Sequence, residues 1–267
     1  MKQLKLMVLT LTLLMGTMFT SCMDSGESGP QQWAGVVKVN DRMGYVTFTD
    51  AAGTELIPTN TIPVTLNARM AYIYCQVDEG QDLSTNPKSI KITLLADPTG
   101  IDATAITTPK VGESGDVTTN APVGSLSFAS GYSTVAPFQF SENTIVLLVL
   151  YRVKNVTTTE DIKNELAKHT FTLVCYTDDI KSGDTILKLY LRYKVEDEPA
   201  AIAERATRTS SFKAYEISQI LREYTLKSGQ AKPAKITIVA QQNEYNNKLE
   251  DTSTTEKVYE IEYKTAE

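Results

Sequence analysis

Between Thr185 and Val195 the chain alternates with a period of two. Leu187, Leu189, Leu191 and Tyr193 fall on one side, Lys188, Tyr190, Arg192 and Lys194 on the other. Successive side chains of an extended strand point to opposite faces, so this run makes a strand with one buried and one wet face; a helix would scatter the leucines around its axis. Strands of this kind build antiparallel sandwiches. Related runs cover Ser125–Phe128, Thr144–Lys154, Thr170–Tyr176, Arg208–Glu216, Ala234–Ala240 and Lys257–Tyr263. Ile145–Leu150 is continuously apolar and belongs at the centre of a sheet.

The N-terminal half carries the same signature in shorter pieces. Trp33–Val39, Met43–Thr49 and Thr54–Ile57 are separated by Asn40-Asp41-Arg42 and Asp50-Ala51-Ala52-Gly53, both with turn chemistry. Met70–Val77 and Ser89–Ala96 follow, and Pro58 and Pro63 lie between strands, where a missing N–H costs least. Five strands in this space fit a small Greek-key barrel of OB type. The fold expected is all-β, an OB-like barrel over 33–96 followed by an antiparallel sandwich over 125–267. Residues 97–124, rich in Thr, Gly, Pro and Asp, read as a linker or long loop with room for a short edge strand. One short helix interrupts the pattern at 158–168. Thr158 is a candidate cap, Glu160 and Asp161 fill the first turn, Lys168 and His169 close it, and Ile162 and Leu166 are expected to give it a narrow apolar contact. Ile217–Tyr224 reads as a second short helix or a strand, with Ile217, Ile220 and Leu221 favouring the helix.

The first residues read as an address. Lys2 and Lys5 precede the apolar run Leu6–Phe19. Some 14 residues at about 1.5 Å each reach roughly 21 Å, short of a hydrocarbon core of about 30 Å. This describes a signal peptide over 1–21 rather than a membrane span. Phe19-Thr20-Ser21-Cys22 resembles a bacterial lipobox, which makes Cys22 the expected lipidated residue and 22–32 a flexible tether. Several acyl chains on one Cys anchor stably where a single chain does not. The membrane, reached through that anchor, is therefore an expected partner and the outer membrane the expected location. Asp24 and Glu27 resemble an export signal for surface display.

Composition removes whole classes of function. The chain carries 26 basic and 32 acidic residues, a net charge of −6, which argues against a nucleic-acid partner. A single His excludes in cis any two-His metal site or His relay. No Gly-x-Ser-x-Gly, phosphate-cradling Gly loop or metalloprotease helix occurs, so no catalytic residue, metal ligand or cofactor is assigned and the chain is not expected to be an enzyme. His169 reads as a helix-end residue. Asp178, Ser182 and Asp184 around Gly183 only loosely resemble a calcium loop, and these, like Glu196-Asp197-Glu198-Pro199, are expected on a solvated rim. Cys75 shares its strand's apolar parity with Ile73 and Val77, as Cys175 does with Phe171 and Leu173. Both read as buried core thiols with no disulfide between them. Asp184-Thr185-Ile186 fits a three-residue O-glycosylation pattern. On an OB barrel Tyr45, Tyr72 and Tyr74 are the residues available for stacking on a ligand, with Lys38, Arg42 and Arg69 nearby. Tyr45 and Phe48 have opposite parity and share a face only across a bulge.

Lipobox, barrel and sandwich in this order resemble the NigD-like lipoproteins of Bacteroidetes. The resemblance lies in Gly35-Val36-Val37-Lys38-Val39-Asn40, Gly44-Tyr45-Val46-Thr47-Phe48, the turn Asp50–Thr54, Lys91-Ile92-Thr93-Leu94-Leu95, and Gly183–Arg192. It implies an N-terminal OB domain, a C-terminal β-sandwich and no catalytic residues. The function expected is that of a non-catalytic, lipid-anchored envelope protein that binds an envelope protein or a glycan. The alternatives are a surface adhesin or assembly subunit and, implied by the family alone, a bacteriocin immunity factor.

Overall fold

A computed structural model describes residues 31–42, 45–60, 66–84, 86–113, 116–130 and 133–265. The signal peptide, Cys22 and most of the tether lie outside the described residues. Two compact units account for the chain, one formed by 1–103 and 129–135, the other by 104–128 and 136–267.

The first unit is a closed barrel. Strands β1 (Gln32–Arg42), β2 (Tyr45–Thr49), β3 (Glu55–Pro58), β4 (Met70–Val77), β5 (Ser89–Leu94) and β6 (Thr99–Ile101) run in the order β1-β2-β3-β5-β4-β6, and a β1–β4 pairing closes the ring. Closure depends on β1 serving two neighbours. Its first half pairs with β4, from Gln32 opposite Gln76 to Lys38 opposite Met70, and its second half with β2, from Lys38 opposite Thr49 to Arg42 opposite Tyr45. The strand runs through Asn40-Asp41-Arg42, where a turn was expected. The second turn falls as read: Asp50 Oδ1 accepts from the Ala52 and Thr54 N–H groups at 2.9 and 2.8 Å, and Gly53 takes φ 87°.

Alternate residues fill the barrel, among them Trp33, Val37, Phe48, Ala71, Ile73, Cys75 and Ile92. Trp33 lies over Gly35, two residues on and on the same face. A Cβ built on Gly35 would stand 2.5 Å from Trp33 Cζ2, so only glycine leaves the indole its place. Phe48 is buried and Tyr45 exposed, as their opposite parity requires without a bulge.

The second unit is a sandwich. One sheet orders β10 (Phe138–Ser141), β11 (Thr144–Val153), β14 (Thr207–Glu216) and β7 (Ala103–Ala105). The other orders β12 (His169–Val174), β13 (Ile186–Val195), β15 (Lys235–Gln242) and β16 (Thr255–Glu262). A separate two-stranded ribbon, β8 (Phe128–Ser130) with β9 (Ser133–Val135), falls in the first unit apart from Phe128. The core between the sheets takes Ile145, Leu147, Val149 and Tyr151 from β11 and Leu187, Leu189, Leu191 and Tyr193 from β13. Each such side chain stabilises by about 1.5–3 kcal/mol when fully buried. Strands β13 and β15 are parallel, from Ile186 opposite Lys235 to Leu191 opposite Ala240, and the crossover between them runs through β14 in the facing sheet.

Among the described residues three α-helices decorate the sandwich: α1 (Thr159–Ala167), α2 (Pro199–Ala203) and α3 (Ser218–Ser228). Thr158 Oγ1 accepts from the Asp161 N–H at 3.1 Å, the cap the sequence indicates, and Gly229 ends α3 in the left-handed region at φ 73°. The orientation of α1 corrects the sequence reading. Ile162 and Leu166 face solvent and Glu165 is the residue buried. The stretch 97–124, read as linker or loop, carries β6 and β7 and sends Ile106, Ala121 and Val123 into the sandwich core. Pro199 opens a helix where a solvated hairpin was expected.

Trp33 is the chain's one tryptophan, so its fluorescence reports on the barrel alone. Gly35→Ala is expected to cost about 1–3 kcal/mol by overpacking and to red-shift the indole emission. Denaturant titration followed by fluorescence checks it, and an unshifted spectrum with unchanged midpoint refutes the packing account.

Candidate functional site

Three polar constellations in the sandwich could carry function. The first surrounds Glu165. Arg205 is 1% exposed and donates Nε to Glu165 Oε1 at 2.7 Å, Nη2 to Glu165 Oε2 at 3.2 Å and to Asp197 Oδ2 at 3.1 Å, and Nη1 to the Ala201 carbonyl at 2.8 Å. The Lys154 N–H adds a bond to Glu165 Oε1 at 2.9 Å. His169 places Nε2 3.3 Å from the same oxygen and Nδ1 2.6 Å from the Tyr193 hydroxyl. A carboxylate only accepts, so Nε2 carries the proton and Nδ1 accepts from Tyr193 in the neutral imidazole. Lys154 and Lys168 close the cluster on Asp197 at 3.1 and 3.3 Å.

Electrostatics follow from these contacts. Burial pulls the Glu165 carboxyl up, but the Lys154 N–H, Arg205 and His169 together outweigh it and hold it below the usual carboxylate range. Arg205 and then Lys154 hold Asp197 well below that range. Burial lowers His169, against the opposing pull of Glu165. Every polar group here has its partner, and Glu165, His169 and Tyr193 are all closed to solvent. The arrangement clamps α1 and α2 to the sheet. His169 follows the helix as read and is also a buried partner of Glu165 and Tyr193, while Asp197 is the hub of three cations, not a solvated rim acid.

The second constellation is the outer face of β13. Tyr190 lies between Lys188, whose Nζ is 5.0 Å from the ring centroid, and Arg192, whose Cζ is 5.1 Å from it. Arg192 donates Nη2 to the Tyr176 hydroxyl at 2.9 Å, and that hydroxyl donates to Asp116 Oδ1 at 2.8 Å. The rings of Tyr176 and Tyr190 meet edge to face at 5.2 Å. This ladder of cations and rings spends its aromatic faces on its own side chains.

The third constellation lies under the loop 243–254, which joins β15 to β16. Arg152 on β11 and Arg208 on β14 are directly opposite in the antiparallel register and share the face turned away from the sandwich core. Both donate Nη2 to one acceptor, the Glu244 carbonyl, Arg208 at 2.9 Å. Arg152 is 5% exposed, and burial and then Arg208 hold its guanidinium below its usual range. Among the described residues no carboxylate pairs with either arginine; the Glu244 side chain itself accepts from Gln242 Nε2 at 3.1 Å. Asn243 fixes the loop that brings the carbonyl there. Its Oδ1 accepts from the Tyr245 and Asn246 N–H groups at 2.8 and 3.1 Å, and its Nδ2 donates to Asn246 Oδ1 and Thr254 Oγ1 at 3.1 and 3.0 Å. Tyr245 is left 77% exposed at the tip.

The residues singled out from sequence fall elsewhere. Tyr72 and Tyr74 share the outer face of β4, opposite Val36 and Ala34, and the Tyr74 hydroxyl donates to Gln32 Oε1 at 2.7 Å. Tyr45 lies opposite Arg42, six positions along β1 from Val36, on a different strand and at the other end of β1 from the other two tyrosines. Cys75 and Cys175 are buried with free thiols, one in each unit, and burial pushes both up to about 12. Asp178 pairs with Lys227 of α3 at 2.9 Å, and Asp184 Oδ2 accepts from the Lys181 N–H of its own loop at 2.7 Å, so both are engaged. Thr185 is exposed. The arginine pair escaped the sequence reading because residues 152 and 208 meet only through strand register.

Comparison with solved structures places this architecture. A Bacteroides fragilis protein described as a "putative lipoprotein" is 96% identical, with 89% of this chain and 100% of that chain covered and a TM-score of 0.83. A protein of unknown function from Bacteroides vulgatus shares the fold at 11% identity and a TM-score of 0.55, over 88% of this chain and 92% of that one. A NigD-like immunity protein from Bacteroides caccae matches at 10% identity and a TM-score of 0.48, over 88% and 94% of the two chains. No protein-family model and no curated protein matches the chain.

The Glu165 cluster sets two expectations. Glu165→Ala leaves Arg205 buried without its main partner and should cost about 3–5 kcal/mol, whereas Ile162→Ser on the same helix should stay within about 0.5 kcal/mol; urea midpoints decide. His169 titrates below its unfolded value, so its contribution is full above about pH 6.5 and is lost as pH falls below that. Glu165, also depressed, holds its contribution above about pH 4.3 and loses it as pH falls through the folded value. Stability should therefore decline on acidification from pH 7, and His169→Gln should flatten the part of that decline between pH 7 and 5. A thermal melt series over pH checks this.

Proposed function

Because this chain belongs to one family with the Bacteroides fragilis lipoprotein, and its sequence resembles the NigD-like lipoproteins, we propose that the protein is a lipid-anchored component of the cell envelope that binds a partner rather than transforming a substrate. The observation that carries this reading is Phe19-Thr20-Ser21-Cys22 at the end of a basic-then-apolar leader. Acylation of Cys22 places the protein on the outer membrane, and Asp24 and Glu27 favour the outward side. A tether of some eleven residues at roughly 3.4 Å each keeps the barrel within about 37 Å of the bilayer.

Binding rather than catalysis is supported by the saturation of the Glu165–His169–Tyr193 cluster, whose groups hold one another in the interior. An envelope protein or a glycan is the partner class. The adhesin or assembly-subunit reading asks for a long apolar edge strand. The longest outer edge of the sandwich, β16, instead carries Glu256, Lys257, Glu260 and Glu262, a charged edge of the kind that resists strand addition.

Cells fed labelled palmitate should incorporate it into the wild-type protein and not into Cys22→Ala, which should also leave the membrane fraction. An unlabelled wild type, or a Cys22→Ala variant that stays membrane-bound, overturns the anchor.

A further inference from the structure

We propose that Arg152 and Arg208 form a binding site for an oxyanion, the phosphate, sulfate or carboxylate group of a ligand. This gives a chemical class to the ligand of the binding reading above, on which it rests; it does not require the lipid anchor.

Two like charges directly opposite on antiparallel strands repel, and a buried arginine ordinarily has an acid beside it. This chain supplies its own comparison. Arg205, equally buried, is met by Glu165, Asp197 and a carbonyl. Arg152 is met by one neutral carbonyl oxygen and by a second guanidinium. Each guanidinium carries several N–H donors, and here each commits one, both to the same oxygen. An oxyanion has the missing charge and enough acceptors to take a fork from each arginine, removing the repulsion and the desolvation cost together. The Asn243 network fixes the loop that carries the shared carbonyl, and that carbonyl holds the two arginines side by side before any ligand arrives.

The test uses the purified full-length chain in thermal melts and calorimetric titrations with sodium phosphate, sodium sulfate and sodium acetate, at ionic strength matched with chloride. At least one of the three should bind saturably and raise Tm, and which one responds separates a phosphate or sulfate source from a carboxylate. Arg208→Gln should raise Tm in the absence of the anion, because the repulsion is gone, while weakening the anion's affinity by about tenfold or more. Lys235→Gln makes the same charge change at a lysine already paired with Glu260 and Glu262 at 2.9 and 3.2 Å, and should leave affinity unchanged. The proposal is overturned by no saturable response beyond chloride, by an equal loss in Lys235→Gln, or by an Arg208→Gln variant that loses stability and keeps the affinity. A failed palmitate experiment would remove the anchor and leave this site standing; a failed titration would do the reverse.

Discussion

The bidentate contact between Arg205 and Glu165 holds together the end of the sandwich where most of its chemistry lies. Arg205 follows α2, Glu165 sits on α1, the Lys154 N–H reaches it from the end of β11, and His169 begins β12. Four elements meet at one carboxylate. A buried pair of this kind gains little net stability over an apolar replacement, because removing two charges from water is expensive. It does make every alternative arrangement of those elements worse, since any of them strands a charge.

That contact also marks where the sequence stops being legible. The alternation of Leu187, Leu189, Leu191 and Tyr193 shows both the strand and its buried face, because a period of two leaves no other solution. The start of α1 is equally plain, as Thr158 and its acidic first turn are local chemistry. Its buried face is not. A rule that buries apolar residues picks Ile162 and Leu166, whereas the partner that pulls Glu165 inward lies forty positions away. Residues 97–124 mislead for the same reason: Ile106, Ala121 and Val123 are too sparse for a periodic signal and are buried one by one against strands formed elsewhere. The paired arginines are farther still from view, since only the register of β11 on β14 sets 152 against 208.

The two buried arginines divide the labour of the sandwich. Arg205 is fully compensated and belongs to the scaffold. Arg152 is charged and buried and, among the described residues, has no acid paired with it, under a loop whose asparagines are spent on holding its shape. In a chain of net charge −6, a cationic spot without an acid is out of keeping with its surroundings. Local exceptions to the rules that build a core are where binding sites are found.

The parallel pairing of β13 with β15 has a kinetic consequence. All barrel pairings are made within residues 32–101, so a chain emerging N-terminus first carries every strand of that barrel early. The sandwich must wait. Leu189 finds its neighbour Ile238 only after β14 and α3 have been laid down, and the sheet is finished only when β16 arrives. Non-local pairing of this sort is slow, and until it completes, the edge of β13 that β15 will take stands unpaired. The second half of the molecule therefore sets the pace at which the whole protein becomes safe from aggregation.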